Sequence, residues 1–210
     1  ILAAISHDLQ TPITRMRLRL DLMDEGKEHD KMRQDLLQME TLVREGVEYA
    51  RTLHGTAEEA CRVDIDGLLD TMGCDYTDAG QQVRIQGKVG VPMLARPHTL
   101  RRVIGNLVDN ALKYAGAAEV SVAADKDGAV RFTVADRGPG IPPELLDTVF
   151  TPFYRLEASR NRDTGGTGLG LAIARQLTLA MDGELSLANR AGGGLEATLV
   201  LPSRLSLTDS

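Results

Sequence analysis

The turn S-H-D-L-Q-T-P, Ser6 to Pro12, surrounds one histidine with the groups a nucleophilic imidazole needs. Asp8 follows His7 directly and can hold one ring nitrogen protonated, leaving the other free to attack an electrophile. Thr11 lies one helical turn further on, on the same face, with its hydroxyl in reach of the ring. Pro12 falls inside a helical pattern, where it removes a backbone donor and bends the helix. A lone helical histidine is more often structural or merely exposed. The neighbours mark this one as a site.

Four further stretches carry chemistry. In N-L-V-D-N-A-L-K-Y-A, Asn106 to Ala115, the residues Asn106, Asn110 and Lys113 share one helical face, opposite the apolar Leu107, Val108, Ala111 and Leu112. Amides are poor helix formers, and two in register suggest hard oxygen ligands suited to Mg²⁺, with Lys113 meeting phosphate oxygens; a solvated helix face is the plain alternative. In D-R-G-P-G-I-P, Asp136 to Pro142, Gly138 and Gly140 free the backbone for a tight turn or close approach to a ligand. Asp136 can accept from an amino group such as that of adenine, although an ordinary strand-to-helix turn has the same composition.

In G-G-T-G-L-G-L-A, Gly165 to Ala172, glycines run into a helix N-terminus, where free N–H groups and the dipole favour anions. A Rossmann site needs a strand before such glycines, but Ala158 to Thr164 is polar and loop-like, and no G-K-[ST] follows to make a P-loop. A flexible glycine hinge accounts for only part of the pattern. F-T-P-F-Y-R, Phe150 to Arg155, holds two of the three phenylalanines and reads as an anchor for the polar loop running to Gly165, or as a hydrophobic plug with a surface arginine.

The elements that must position these residues fall into two textures. From Leu2 to Leu53 apolar residues step by three and four: Leu2, Ile5, Leu9, Ile13, Met16, Leu20 and Met23, then, after the charged break Asp24 to Asp30, Met32, Leu36, Met39, Val43, Ala50 and Leu53, with Gly46 on the same seam. This pattern predicts a helical hairpin. Two helices cannot enclose a core, so a second copy completing a four-helix bundle, a homodimer, is expected from burial alone. Beyond a short polar linker, His54 to Ala60, strands are expected at Val83–Ile85, Glu119–Ala123, Val130–Ala135, Glu184–Ala188 and Glu196–Leu201. Helices are expected at Ile65–Ala79, Thr99–Ala115, Pro143–Val149 and Leu169–Met181. The fold class is α+β, with a mixed sheet carrying helices on one face.

Composition bounds the partners. The 210 residues are 42% hydrophobic and 26% charged but only 3% aromatic, so the core must be aliphatic. A net charge of -6 argues against nucleic acid as a partner. The two cysteines, Cys61 and Cys74, lack metal-type spacing and read as free thiols in a reducing compartment. His29, His54 and His98 show no partner pattern. The chain opens at Ile1 inside a helical pattern, which suggests a fragment whose upstream part, where a membrane sensor could sit, is missing.

In order and spacing the five stretches resemble the H, N, G1, F and G2 boxes of orthodox bacterial sensor histidine kinases. The S-H-D-L-x-T-P-I-T-R form is similar to the osmosensor-type subgroup. The resemblance implies a dimerisation and phosphotransfer hairpin at residues 1–56 and a Bergerat-type ATP-binding sandwich at 61–202. It implies ATP and Mg²⁺ as cofactors, a response-regulator receiver domain as partner, and residence as the cytoplasmic portion of an inner-membrane protein. On this resemblance His7 is the phosphoacceptor, Asp8 its orienting base, and Thr11 the residue that orients water in the reverse, phosphatase reaction. Asn110 is the Mg²⁺ ligand and Asn106 lies beside the phosphates. Lys113 and Tyr114 line the nucleotide, and Asp136 reads the adenine amino group beside Gly138, Gly140 and Ile141. Arg155 and Glu157 to Thr164 form a lid, and Gly166, Thr167, Gly168, Leu169 and Gly170 wrap the phosphates. Arg137 stands where an asparagine is common.

Overall fold

The computed structural model describes residues 2–54, 58–156 and 166–202, with side chains described from Gln10 onward in the first helix and through Leu53 in the second. Helix α1 (Leu2–Leu20) contains Pro12, and helix α2 (Lys27–His54) runs back against it. The pair buries a small seam of Ile13, Leu20 and Leu36, with Val43 packed alongside. Other residues of the expected seam, Met16, Met23, Met32, Met39 and Leu53, are exposed on a single copy of the hairpin.

The rest of the chain builds a sandwich. Strand β1 (Cys61–Val63) and strand β3 (Met93–Ala95) pair as a short antiparallel ribbon. Strands β2 (Gln82–Gln86), β4 (Ala117–Ala124), β5 (Val130–Ala135), β6 (Glu184–Asn189) and β7 (Leu195–Leu201) form one sheet in the order β2-β4-β5-β7-β6. Only β2 and β4 run parallel; the other neighbours are antiparallel. Along β4, β5 and β7 every second residue is buried: Ala118, Val120 and Val122; Val130, Phe132 and Val134; Ala197, Leu199 and Leu201. Strand periodicity thus puts one sheet face into the core.

Helices α3 (Ile65–Asp78), α4 (Pro97–Ala115) and α5 (Gly170–Ala180) cover that face. Helix α4 contributes Leu100, Val103, Ile104, Leu107, Val108 and Ala111, spaced three and four apart, and α5 contributes Ile173, Ala174 and Leu177. Asp64 caps α3 by accepting from the Gly67 N–H at 3.1 Å. Helix α4 takes its cap from outside: Glu58 accepts from the N–H groups of His98 and Thr99 and from the Thr99 hydroxyl, at 3.1, 2.9 and 2.8 Å. Burial pushes the Glu58 carboxyl up, but these donors outweigh it and hold the group below the usual carboxylate value.

Three local expectations are corrected. Pro143–Val149 is not an α-helix but two 3₁₀ turns, Pro143–Leu145 and Thr148–Phe150. A segment of this length cannot repay helix nucleation, and single i→i+3 bonds such as Leu145 N–H to the Pro142 carbonyl close the turns instead. Strands β1 and β3, three residues each, were not expected, because so short a run carries no readable alternation. Helix α4 begins at Pro97 rather than Thr99, as proline suits the first helical turn.

Candidate functional site

One face of α4 opens on a cleft of about 1590 Å³. Its sandwich wall holds Asn106, Asn110, Lys113 and Tyr114 from α4, Asp136, Gly140 and Ile141 from the turn after β5, Arg155, and Gly166, Thr167, Gly168 and Gly170 leading into α5. Residues from four separate stretches of sequence therefore meet around one space. The opposite wall is α2, including Lys31, Gln38, Thr41 and Glu45. Two expected nucleotide residues stand apart. Leu169 is fully buried in the hydrophobic core, and Gly138 sits behind Asp136, whose Oδ1 it approaches.

Asp136 is nine-tenths buried and rigidly held. Its Oδ1 accepts from the N–H groups of Gly138 at 2.8 Å and Leu195 at 3.1 Å. Its backbone is tied by its own N–H to the Leu195 carbonyl at 2.9 Å and by Arg190 Nη1 to its carbonyl at 3.0 Å. The second carboxylate oxygen accepts nothing among the described residues, so it can receive a ligand donor. A side chain at Gly194 (φ 108°) would place Cβ 2.1 Å from the Asp136 carbonyl oxygen, so only glycine permits this approach of β7.

The amides of α4 face the same space. Among the described residues Asn106 Nδ2 is buried without a hydrogen-bond partner, which is the signature of a group completed by a ligand or water. The Lys113 ammonium lies 4.8 Å from the Tyr114 ring centroid and presses against Gly166, linking the amide helix to the glycine loop. Gly168, at φ 76°, packs so closely on the aromatic turn that a Cβ would stand 2.7 Å from the Tyr154 carbonyl oxygen. The Phe153 N–H, itself at φ 63°, donates to the Gly168 carbonyl at 3.0 Å. The phenylalanine turn therefore acts as the platform that shapes the glycine loop.

Among the described residues no three His, Cys, Asp or Glu side chains converge as a metal cage. A cation here would be held by an amide oxygen and by the oxygens of the ligand, the mode Mg²⁺ adopts on phosphates. The donor set fits a metal-bound polyphosphate.

The hairpin reaches this site through α2. The Thr167 hydroxyl donates to Glu45, and Arg102 of α4 lies 2.9 Å from Glu48. Burial lowers the Arg102 pKa from its ordinary value, and Glu48 partly offsets that. Tyr76 of α3 donates to Asp109, beside Asn110, at 2.9 Å; burial and the Asp109 charge both raise the phenol's pKa. On α1, Thr11 is exposed and does not line the cleft, while the side chains of His7 and Asp8, the lid stretch Glu157 to Thr164, and the linker residues 55–57 lie outside the described residues.

Sequence reasoning missed the wall behind Asp136: Asn189, Arg190, Gly194 and Leu195. The run N-R-A-G-G-G-L between two strands was its only local signal.

A family model for histidine kinase-, DNA gyrase B- and HSP90-like ATPases matches residues 95–205. The chain is 40% identical over 209 residues to the sensor histidine kinase GtrS of Pseudomonas aeruginosa, covering 99% of this chain and 42% of that protein. It is 32% identical over 212 residues to the sensor histidine kinase CpxA of Escherichia coli K12, covering 96% of this chain and 46% of that one. The crystal structure of full-length ShkA in complex with AMPPNP is similar over 96% of this chain and 45% of its own, at 28% identity and a TM-score of 0.74. The chain thus spans less than half the length of these relatives. The match of the family model over residues 95–205, more than half of the chain, places the chain in the histidine kinase-, DNA gyrase B- and HSP90-like ATPase family, with sensor histidine kinases as its homologues.

Proposed function

We propose that the chain is the catalytic core of a sensor histidine kinase, which phosphorylates its own His7 from Mg·ATP and passes the phosphoryl group to an aspartate of a response regulator. One observation carries this reading: the amide helix, Asp136 and the glycine loop converge on one cleft in a chain that also holds the His7-Asp8-Thr11 turn. Residues 61–202 bind the nucleotide, and residues 1–56 accept the phosphoryl group and dimerise. The exposed methionines of the hairpin, Met16, Met23, Met32 and Met39, support a second copy closing a four-helix bundle.

In this reading the unused oxygen of Asp136 accepts from the adenine amino group, and Tyr114 and Ile141 flank the base. Asn106 and Lys113 bind phosphate oxygens, Arg155 reaches the terminal phosphate, and Gly166, Thr167, Gly168 and Gly170 offer backbone N–H groups. Asn110 would hold a Mg²⁺ ion through its amide oxygen, and the ion would supply charge neutralisation to the phosphates. Asp8 keeps the proton on one nitrogen of His7, and the other nitrogen attacks the γ-phosphorus. The N–P bond forms as the bond to the β-phosphate oxygen breaks, and ADP leaves with the electron pair. The cleft faces α2 in this structure, so transfer requires the sandwich to swing about the His54–Ala60 linker towards α1. Thr11 orients water for the reverse, phosphatase reaction. No helix among the described residues is long and apolar enough to cross a membrane; a membrane sensor upstream belongs to the proposal.

The test is the fate of γ-labelled ATP. Label retained on the protein, and lost in His7→Gln while nucleotide binding persists, supports the kinase. Label released only as free phosphate, unaffected by His7→Gln, would assign the chain to hydrolysis.

A further inference from the structure

The turn that walls the cleft, Asp136 to Pro143, is poor in backbone donors. Pro139, Pro142 and Pro143 have no N–H, and the Gly138 N–H is spent on Asp136. Such a turn cannot hold its own shape through a backbone ladder. Its bonds come from across the sheet. Asn189, the last residue of β6, accepts from the Ile141 N–H through Oδ1 at 2.8 Å and donates from Nδ2 to the Ile141 carbonyl at 2.6 Å. One side-chain amide thereby satisfies both polar groups of one residue, as a neighbouring strand would. The fit is close: at Gly140, φ 72°, a Cβ would stand 2.6 Å from Asn189 Oδ1, so the bridge closes only over glycine. The next residue, Arg190, binds the Asp136 carbonyl at 3.0 Å and Glu119 at 3.3 Å, fixing the other end of the same turn.

From this geometry we infer that Asn189 is a positioning residue for nucleotide recognition: its two-pronged bridge to Ile141 sets the wall against which the base is read. The inference rests on the proposed ATP site. Asn189 is itself exposed, so its removal leaves no buried group without a partner and costs the fold little. What it loses is the orientation of Gly140 and Ile141, which line the cleft, relative to the Asp136 carboxylate. Discrimination between bases depends on that relation more than overall phosphate binding does.

The experiment compares wild type, Asn189→Ala and Asn189→Asp for ATP and GTP binding by calorimetry, for KM and kcat of label incorporation, and for Tm. Asn189→Asp keeps the acceptor for the Ile141 N–H but sets an oxygen against the Ile141 carbonyl. Loss of two partly exposed hydrogen bonds predicts ATP affinity and 1/KM about tenfold lower in Asn189→Ala, with kcat within about twofold. The ATP-to-GTP preference falls in parallel, Tm moves by less than about 3 °C, and Asn189→Asp is no better than Asn189→Ala. Should wild type prefer ATP while both variants keep its affinity and its preference, Asn189 has no positioning role. Equal loss of ATP and GTP binding together with a large drop in Tm assigns Asn189 to the fold and overturns the inference as well. Wild type that binds ATP no better than GTP removes the adenine-site reading itself, and the inference with it.

Discussion

Gly168 offers the sharpest link between packing and the site. At φ 76° it occupies the left-handed region, and a Cβ there would lie 2.7 Å from the Tyr154 carbonyl oxygen, 2.9 Å from the Phe153 carbonyl carbon and 3.1 Å from the Phe153 Cα. All three are backbone atoms of a turn that is bonded to Gly168 itself, so no flexible side-chain end can yield. Gly168→Ala therefore carries the left-handed cost of about 1 kcal/mol and an overpacking cost of about 1–3 kcal/mol. For a chain of this size the sum lowers Tm by about 6–12 °C. Gly80→Ala is the matched control: φ is 71°, but nothing lies within 4 Å of its Cβ position, so only the first term applies, about 3 °C. The glycine loop must also move off its platform in Gly168→Ala, so ATP affinity by calorimetry should drop at least tenfold, against no change in Gly80→Ala. Equal Tm values for the two variants, with ATP affinity intact in both, would refute the reasoning that contact with the Phe153 turn shapes the loop.

Two other expectations are open to direct measurement. The Glu58 carboxyl is held below its ordinary 4.5 in the folded chain, so its stabilisation of α4 is fully present above that value and is lost as pH falls through the lowered one; Glu58→Gln should cost about 0.5 kcal/mol at pH 7 after solvent screening, and the gap to wild type in urea melts should close under acid. Glu45 places a carboxylate on Thr167 in the wall of the cleft, so Glu45→Gln should tighten ATP binding about fivefold at low salt, with the gain shrinking as salt is added; unchanged or weaker binding would show that the contact does not oppose nucleotide.

The sequence made the periodic parts of the fold legible and hid the rest for physical reasons. Strand β5 has the bounds its alternation implies, and α3 ends within a residue of expectation, because amphipathic periods survive into burial. The segment Pro143–Val149 has helical composition but not helical length, and its shortness leaves it as 3₁₀ turns. The stretches around Asn106, Asp136 and Gly166 were each visible locally, and the structure gathers them in one cleft. Leu169 sat inside a glycine motif but faces the core, where, as the residue that caps the start of α5, it packs its side chain fully buried into the main apolar cluster. Asn189 and Arg190 were invisible because their partners, Ile141 and Asp136, lie about fifty positions away, joined through the pairing of β5, β7 and β6. The approach of Glu45 to Thr167 was equally out of reach, since no local pattern records how a helix lies against a distant loop.

The central claim is that the terminal phosphoryl group of ATP ends on one ring nitrogen of His7. Tandem mass spectrometry of the peptide spanning Ser6 to Thr11, after incubation with Mg·ATP at neutral pH, reads this directly. Phosphate on His7 that survives base and is lost in acid is the predicted result. An unmodified His7 beside free phosphate, or acid-stable phosphate on Ser6 or Thr11, would contradict it.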